Sequence, residues 1–319
     1  MHMKPVVPFE PISADRFPEG DNWIAQIKWD GVRMLAYGEN SDVRLVNRRL
    51  NDRSAQYPEL LDASRYCNAS SFILDGELIA LDPANNRPSF HEIMRRDALR
   101  RDSSVERMRS QVPVTYMVFD LLFLDGVWVT DRPLAERQRL LGEALIPQPD
   151  VQLVQSFSDP GSLMEVMVRH GMEGVVCKDL SGTYTMGGKD KRWQKRKIMH
   201  DLYAVVGGVT YRDKVVNALL LGLYNSQGDL IYIGHAGTGK VSVREWYELT
   251  ERAAPLIVRQ RPFRNVPERS KDAVWLEPRM TVKVQFLEWT GGMTMRHPSI
   301  QAFADVPLES CTMDQIRFP

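Results

Sequence analysis

The sequence of 319 residues has few cysteines, no excess of charge and no long hydrophobic run. Its three cysteines, Cys67, Cys177 and Cys311, are far apart and odd in number. This pattern excludes a disulfide framework and a Cys-x-x-Cys zinc site, and it suits a reducing compartment. The 41 basic residues equal the 41 acidic ones, so an interaction with nucleic acid would depend on local basic patches.

Segments that cross or enter membranes are also missing. No run approaches the roughly 20 apolar residues that a membrane span requires. Prolines and a glutamate interrupt the first residues, where a signal peptide needs a continuous apolar stretch. We therefore expect a cytoplasmic protein without a membrane partner.

Three common catalytic motifs are incomplete or absent. The segment Gly234–Lys240 nearly matches a phosphate-binding loop, but Val241 stands where a hydroxyl would hold magnesium, which favours a glycine-rich strand connection. The segment beginning His91-Glu92 lacks the second histidine of a zinc protease. No Gly-x-Ser-x-Gly elbow of a serine hydrolase occurs.

The length and an apolar share of 43% predict two globular domains of α+β class. Residues 1–200 mix strands and helices, and an Asp30-Gly31 turn between Trp23–Ile27 and Val32–Tyr37 predicts an antiparallel hairpin. Further strands are predicted at 43–47, 71–82, 114–124 and 174–178, and helices at 57–61, 90–101, 134–145 and 162–170. Residues 201–319 contain short β-rich runs and one helix, which predict a small five-stranded oligonucleotide-binding (OB) barrel.

Five stretches carry the residue types that phosphate chemistry needs. They are Lys28-x-Asp30-Gly31-x-Arg33, Arg48, Asp75-Gly76-Glu77-Leu78, Tyr116-x-x-Phe119-Asp120 and Glu173-Gly174-Val175-Val176-x-Lys178 with Trp193-x-Lys195-x-Lys197. Each alone is compatible with an ordinary turn, a rim carboxylate or a solvated charge run. Their order and spacing together favour a chemical role.

This set resembles the covalent nucleotidyltransferase superfamily, which contains ATP-dependent DNA ligases, RNA ligases and messenger-RNA capping enzymes. It is most similar to compact bacterial ATP-dependent DNA ligases related to the ligase module of bacterial end-joining enzymes. Trp29, the Phe119–Leu122 run and the Met295–Ser299 run carry the likeness to that branch. The resemblance implies a nucleotidyltransferase domain of ATP-grasp-like antiparallel sheets with helices, followed by an OB-fold barrel.

The resemblance also implies a catalytic lysine. Lys28 would attack the α-phosphate of ATP, expel pyrophosphate and carry AMP as a phosphoramidate. The attacking amine must be neutral, and neighbouring cations disfavour the ammonium form of a lysine. Such cations would also neutralise the phosphates. The candidates are Arg33, Arg48, Lys195 and Lys197, with Lys178 reaching the α-phosphate.

A divalent ion and an adenine pocket follow from the same resemblance. Glu77 and Glu173 are the candidate ligands of Mg²⁺, which Mn²⁺ would replace, because hard ions prefer carboxylate oxygens. Glu77 would alternatively hold the ribose of AMP. Phe119 would stack on adenine opposite Val176, with Ile27 beside them and Gln26 accepting from the adenine amino group. Relatives often carry glutamate in place of Gln26, so this departure bears on the choice of nucleotide.

A second departure concerns the end of the sequence. Relatives often have a basic Arg-x-Asp-Lys element that orients pyrophosphate, whereas residues 300–307 contain no basic residue and Arg296 is the nearest substitute. Slow self-adenylation or purification with AMP already attached would follow.

Two basic regions, Gly187–Lys197 and Arg95–Arg109, are candidates for contact with the phosphates of nicked double-stranded DNA. The second region is equally well explained as a solvated helix face. The family branch suggests a Ku-type end-binding partner, a nucleoid-associated location and a monomer that acts in DNA repair, recombination or replication. An RNA ligase, a GTP-using capping enzyme and a non-catalytic nucleic-acid-binding module remain the alternative hypotheses.

Overall fold

The structure is a computed structural model that describes residues 3–237, 239–268 and 270–316. The chain divides into two compact units, Met1–Lys197 and Ile198–Pro319. Among the described residues, no helix is long and apolar enough to cross a membrane.

Two β-sheets form the first unit. The smaller sheet has the strand order β1-β10-β9-β2, and the larger has the order β4-β3-β5-β6-β7, with β8 beside β6. The strands are β1 (Glu10–Ser13), β2 (Trp23–Ile27), β3 (Val32–Glu39), β4 (Asp42–Asn47), β5 (Ser71–Ala80), β6 (Val114–Leu124), β7 (Val127–Trp128), β8 (Val151–Leu153), β9 (Gly174–Asp179) and β10 (Lys189–Lys197). Most neighbours are antiparallel, whereas β1 and β8 pair in parallel with β10 and β6.

Four helices lie in the described part of this unit. They are α1 (Phe90–Asp97), α2 (Asp102–Gln111), α3 (Leu134–Ala144) and α4 (Pro160–Arg169). Side chains cap two of them: Ser89 accepts from the backbone of α1, and Asp159 accepts from that of α4. The predicted strands 71–82, 114–124 and 174–178 and the predicted helices 134–145 and 162–170 are therefore confirmed within a few residues.

Two hydrophobic clusters hold these layers together. The larger one includes Leu74 and Tyr116 of the large sheet, and residues of α1, α2 and α3 complete it. The second cluster contains Leu35 and Phe119 from the large sheet and Trp193 from the small sheet. Because the second cluster draws residues from both sheets, its burial fixes the two sheets against each other.

The predicted hairpin around Asp30-Gly31 is wrong. β2 pairs with β9 in the small sheet, whereas β3 pairs with β4 and β5 in the large sheet. The turn therefore carries the chain from one sheet to the other. Glycine is required there because a Cβ atom on Gly31 would lie 2.2 Å from the carbonyl oxygen of Leu78. Alternating hydrophobicity identifies strands but does not identify their partners.

Three further expectations need correction. The single helix predicted for residues 90–101 ends at Asp97, and α2 begins at Asp102. Residues 57–61 form short 3-10 turns rather than the start of a helix. The sequence does not predict strand β10, because its residues are mostly charged and show no alternation of apolar side chains. Trp193 is its one buried side chain.

The second unit is a five-stranded barrel with one described helix. Its strands follow the order β13-β12-β11-β14-β17. They are β11 (His200–Arg212), β12 (Val215–Tyr224), β13 (Leu230–Ala236), β14 (Val274–Phe286) and β17 (Ser299–Ala304), with α5 (Val243–Ala253) and the short hairpin β15 (Glu288–Trp289) and β16 (Met295–Arg296). This architecture confirms the predicted OB fold.

The glycine-rich segment Gly234–Lys240 begins in β13 and leads toward α5, so it does not join two consecutive strands as expected; its Thr238 lies outside the described residues. Gly239 forms a parallel bridge to Ile300, and the Lys240 amide donates to the Ile300 carbonyl at 2.7 Å. A Cβ on Gly239 would lie 2.0 Å from that carbonyl oxygen, so glycine permits the contact that closes the barrel.

Candidate active site

A cleft that is partly open to solvent lies in the first unit and is lined by residues of both sheets. Its lining comprises Pro11, Gln26, Ile27, Lys28, Trp29, Arg33, Glu77, Phe119, Val176, Lys178 and Trp193. Most residues that the motifs singled out are therefore brought together at one place.

The register of the small sheet explains how its wall is built. Gln26 pairs with Val176, which pairs with Lys195. Lys178 pairs in the same way with Trp193. Residues directly opposite one another in a sheet point to the same face, so these side chains form one continuous surface.

Lys28 lies just beyond the end of β2, and its backbone N–H donates to Gly174 at 2.9 Å. Its Nζ donates to Glu173 Oε2 at 2.5 Å, and Lys197 Nζ lies 2.8 Å from the other oxygen of the same carboxylate. Burial alone would raise the pKa of Glu173, but Lys28 and Lys197 outweigh it and hold that pKa below its usual value. Glu173 therefore stays ionised and links two lysines.

Lys195 adds positive charge beside this pair. Burial and the charges of Lys28, Lys197 and Lys189 lower the pKa of Lys195. A cluster of cations that disfavours additional positive charge is suited to an anionic ligand such as a phosphate.

Arg33 lies on the large sheet, lines the cleft and forms a bidentate ion pair with Asp75. Arg33 Nε and Nη2 donate to the two carboxylate oxygens at 2.5 and 2.6 Å, and Asp75 is fully buried. Burial disfavours the charge on Arg33, but Asp75 outweighs it and raises the pKa of Arg33 further above its ordinary value. The orientation of this guanidinium is therefore fixed before any ligand binds.

Glu77 lies opposite Arg33 in the register of β3 and β5. Burial raises the pKa of Glu77 to about 7, although Arg33 and Lys28 act in the opposite direction. Perturbed carboxylates that line a cleft are typical of functional sites.

Lys178 is only 2% exposed and lies between two aromatic rings. Its Nζ is 4.2 Å from the centroid of Phe119 and 4.1 Å from that of Trp193, and the Phe119 carbonyl accepts from it at 3.4 Å. Burial lowers the pKa of Lys178 to about 7, although the charge of Asp120 opposes this effect. The Arg33 guanidinium also lies 4.5 Å from the Phe119 centroid. Lys178 and Arg33 therefore both lie over the Phe119 ring.

Gln26 is 2% exposed, and its Nε2 donates to Ser156 Oγ at 3.1 Å. This assignment of the amide leaves the Gln26 carbonyl oxygen as the acceptor toward a ligand.

Arg48 is outside this group. Its side chain is 59% exposed, does not line the cleft and lies 3.4 Å from Glu10. The structure thus places the predicted Arg48 at the surface next to β1.

The metal prediction can be tested against the donor set. Within the described residues, no group of three or more His, Cys, Asp and Glu side chains is arranged to hold a metal. Glu77 and Glu173 are close enough for their charges to interact. Two carboxylates fit Mg²⁺, which typically takes one or two protein ligands and completes its shell with phosphate oxygens and water.

Sequence reasoning missed Tyr184, Pro11 and the role of Asp75. Tyr184 Oη donates to Asp75 Oδ2 at 2.7 Å. The alternation of β5 was a usable signal for Asp75, since it shares a face with Glu77 two residues later. Tyr184 lies between strands, and no pattern in its neighbourhood points to the cleft.

The basic region Arg95–Arg109 is mostly engaged within the protein. Arg96 is fully buried and pairs with Glu59 at 2.8 Å. Arg95 and Arg109 form ion pairs with acidic neighbours on their own helices. Arg101 and Arg107 are exposed, and they are better placed for contacts with an external partner.

The two-sheet unit with its lysine-bearing cleft and the following OB barrel define a two-domain nucleotidyltransferase. Residues 8–197 match the model of the ATP dependent DNA ligase domain, and residues 212–305 match that of the ATP dependent DNA ligase C terminal region. The chain belongs to the ATP-dependent DNA ligase family. The resemblance that the motifs suggested is confirmed.

Individual relatives agree with this assignment. The multifunctional non-homologous end joining protein LigD of Mycobacterium bovis is 31% identical over 289 residues, which cover 88% of this chain and 36% of that protein. A DNA ligase of Thermococcus fumicolans is 28% identical over 311 residues, which cover 91% of this chain and 54% of that enzyme. A solved structure of mycobacterial DNA ligase D complexed with ATP and MES is 26% identical, with a TM-score of 0.53 and coverage of 98% and 99% of the two chains. The chain thus spans about a third of LigD and about half of the archaeal enzyme.

Proposed function

We propose that this chain is an ATP-dependent DNA ligase that seals nicks between 5′-phosphate and 3′-hydroxyl ends in duplex DNA. The observation that carries the proposal is the amine of Lys28, which lines the cleft, donates to Glu173 and has four other cations near it, Arg33, Lys178, Lys195 and Lys197. Membership in the ligase family and the name of the end-joining relative support a role in repair, recombination or end joining.

The reaction would proceed in three steps. The Lys28 ammonium loses one proton to solvent, the neutral amine bonds to the α-phosphorus of ATP as the bond to pyrophosphate breaks, and the nitrogen releases a second proton to solvent. An oxygen of the DNA 5′-phosphate then attacks the same phosphorus, the P–N bond breaks and the lysine takes both protons back from solvent. Finally the 3′-hydroxyl attacks the DNA phosphate and loses its proton to solvent as AMP leaves.

The cations of the cleft would have different roles in these steps. The Lys28–Glu173 pair must separate before the amine attacks, because a hydrogen-bonded ammonium has no free lone pair. Arg33, Lys178, Lys195 and Lys197 would neutralise the triphosphate and the charge that develops during transfer. Arg48, at the surface, would reach only the outer part of the nucleotide.

The adenine would bind between Phe119 and Val176, with Ile27 beside it. Since Lys178 and Arg33 cover Phe119, one of these side chains must move before a base stacks there. Lys178 is the better candidate, because Asp75 holds Arg33 in place. The carbonyl oxygen of Gln26 would accept from the amino group of adenine, which favours ATP over GTP.

Glu77 and Glu173 would hold Mg²⁺ or Mn²⁺ against the phosphates. The bound ion would supply positive charge where the leaving pyrophosphate becomes more negative. Glu77 would alternatively accept from the ribose hydroxyls.

We assign residues 1–200 to the adenylation domain and residues 201–319 to the OB-fold domain. The match to the first family model ends at residue 197 and the match to the second begins at residue 212, which supports this division. Gly187–Lys197, together with Arg101 and Arg107, would contact the phosphates of the nicked duplex without reading its sequence. We further propose a cytoplasmic, nucleoid-associated monomer with a Ku-type partner, which the end-joining relative supports.

A single set of reactions tests the proposal. The protein, Mg²⁺ and α-labelled ATP are incubated with and without a singly nicked duplex, beside Lys28→Ala and the control Lys271→Ala, which removes an exposed lysine of the second unit. We expect label on the wild type and the control, none on Lys28→Ala, and sealing of nicked DNA. Labelled Lys28→Ala, or an adenylated wild type that leaves the nick open, would contradict the mechanism. Labelled GTP and a nicked RNA test the capping and RNA-ligase alternatives.

A further inference from the structure

One wall of the cleft comes from a segment that the motifs do not include. Pro11 of β1 lines the cleft. β1 is an edge strand that pairs in parallel with β10, and the Ala14 amide donates to the Lys195 carbonyl at 3.0 Å. Edge strands are held by one neighbour only, so their position depends on additional anchors.

The anchor is a closed ring of buried hydrogen bonds at Phe9. The Phe9 amide donates to Tyr184 Oη at 2.9 Å, and Tyr184 Oη donates to Asp75 Oδ2 at 2.7 Å. Arg33 Nη2 donates both to Asp75 Oδ2 at 2.6 Å and to the Phe9 carbonyl at 3.2 Å. Phe9, Asp75 and Tyr184 are at most 4% exposed, so their buried polar groups depend on one another for hydrogen bonds.

From this ring we propose that Tyr184 is a positioning residue, which fixes residues Phe9–Ser13 as a wall of the nucleotide cleft and sets the orientation of Arg33. The inference rests on the proposed function, because the nucleotide is the ligand that this wall would contact. Tyr184 acts through Asp75 and the backbone of Phe9 rather than through the ligand.

The geometry of Arg33 explains why this positioning matters. Its Nε and Nη2 groups are used within the ring, whereas its Nη1 group makes no hydrogen bond within the described residues. Arg33 lines the cleft, so the ring selects which edge of the guanidinium remains for a phosphate or ribose oxygen. Burial and the Asp75 carboxylate raise the pKa of Tyr184 well above its ordinary value, so the hydroxyl remains a donor.

Tyr184→Phe removes one hydroxyl and keeps the aromatic packing of residue 184 against Phe9 and Trp193. The Phe9 amide then loses its buried acceptor, and Asp75 loses one donor. The loss of a buried hydrogen bond predicts a KM for ATP in self-adenylation that rises about tenfold. The kcat of that step should change by less than about threefold, because no reacting atom is touched.

Tyr66→Phe is the matched control. Tyr66 is also fully buried, and its Oη donates to the Leu60 carbonyl at 2.8 Å, but it belongs to the hydrophobic cluster that lies away from the cleft. It should lower the melting temperature as Tyr184→Phe does while leaving KM unchanged. Hydrogen exchange supplies a second readout: amides of residues 9–13 should exchange faster in Tyr184→Phe and not in Tyr66→Phe.

The outcomes distinguish a failure of the positioning role of Tyr184 from a failure of the proposed function. An unchanged KM in Tyr184→Phe, or an equal rise in Tyr66→Phe, would reduce Tyr184 to a residue of general stability. If the wild type forms no AMP adduct, the proposed function fails instead. In that case the exchange of residues 9–13 decides whether Tyr184 anchors the segment, since this measurement requires no nucleotide.

Discussion

Replacing Lys178 with methionine tests whether a charged lysine is costly in this cleft. Methionine has a similar length and no charge, so the aromatic contacts with Phe119 and Trp193 remain largely filled. Lys178 is 2% exposed, and its pKa falls from the ordinary value of 10.5 to about 7 on folding.

The sign and size of the effect follow from linkage. Because the folded chain binds this proton less tightly than the unfolded chain, the stability from Lys178 is complete above pH 10.5 and is lost as the pH falls toward 7. At about 1.4 kcal/mol for each unit of pKa, the whole difference is about 5 kcal/mol. Roughly 2 kcal/mol of it falls between pH 7 and pH 9.

The assay is urea unfolding of both proteins at pH 7 and pH 9, without nucleotide and followed by tryptophan fluorescence. The free energy of unfolding of the wild type should rise by about 2 kcal/mol relative to Lys178→Met between these pH values. Lys189→Met, on the exposed surface of β10, controls for the loss of one positive charge. If the free energy of unfolding changed with pH equally in the wild type and in Lys178→Met, Lys178 would be solvated. That result would contradict its assignment as a buried cation of the cleft.

Two further predictions concern neighbouring residues. Gln26→Ala should lower the preference for ATP over GTP in self-adenylation by about tenfold, because the acceptor for the adenine amino group is lost. Ser156→Ala, which frees the Gln26 amide, should have a smaller effect, and unchanged selectivity in Gln26→Ala would exclude the base contact. Asp120→Asn should cost about 3–5 kcal/mol of unfolding free energy, because it leaves the fully buried Arg137 without its anion. Glu143→Gln removes the partner of Arg139 in an exposed ion pair on the same helix as Arg137, and it should cost less than about 1 kcal/mol in the same urea titration; equal losses would contradict the buried pair.

Much of the candidate site was predicted from the motifs that carry the family resemblance, and the fixed period of strand alternation is consistent with those motifs. Val176 and Lys178 lie two residues apart on β9 and therefore share a face, and both line the cleft. The same rule joins Asp75 to Glu77 on β5. These groupings need no knowledge of tertiary structure.

The parts that could not be predicted depend on long-range contacts. Nothing near Tyr184 indicates that its hydroxyl meets Asp75, which is 109 residues away in the sequence. Arg48 has the charge expected of a phosphate ligand, yet the course of the chain after β4 turns it toward Glu10 and the surface. Residue type and spacing define which side chains are suitable, whereas packing between sheets decides which of them meet.

At Gly31 the chain passes from the small sheet to the large sheet, and this passage determines how Lys28 and Arg33 are placed relative to each other. A hairpin would have fixed Lys28 and Arg33 relative to each other by local turn geometry alone. Because they belong to different sheets, their separation depends instead on the cluster that joins the sheets, which includes Leu35, Phe119 and Trp193. The ring at Phe9 reinforces the same junction, since it ties Arg33 to the segment beside β10. The position of Lys28 relative to Arg33 is thus a property of the whole first unit rather than of the six-residue motif in which both residues lie.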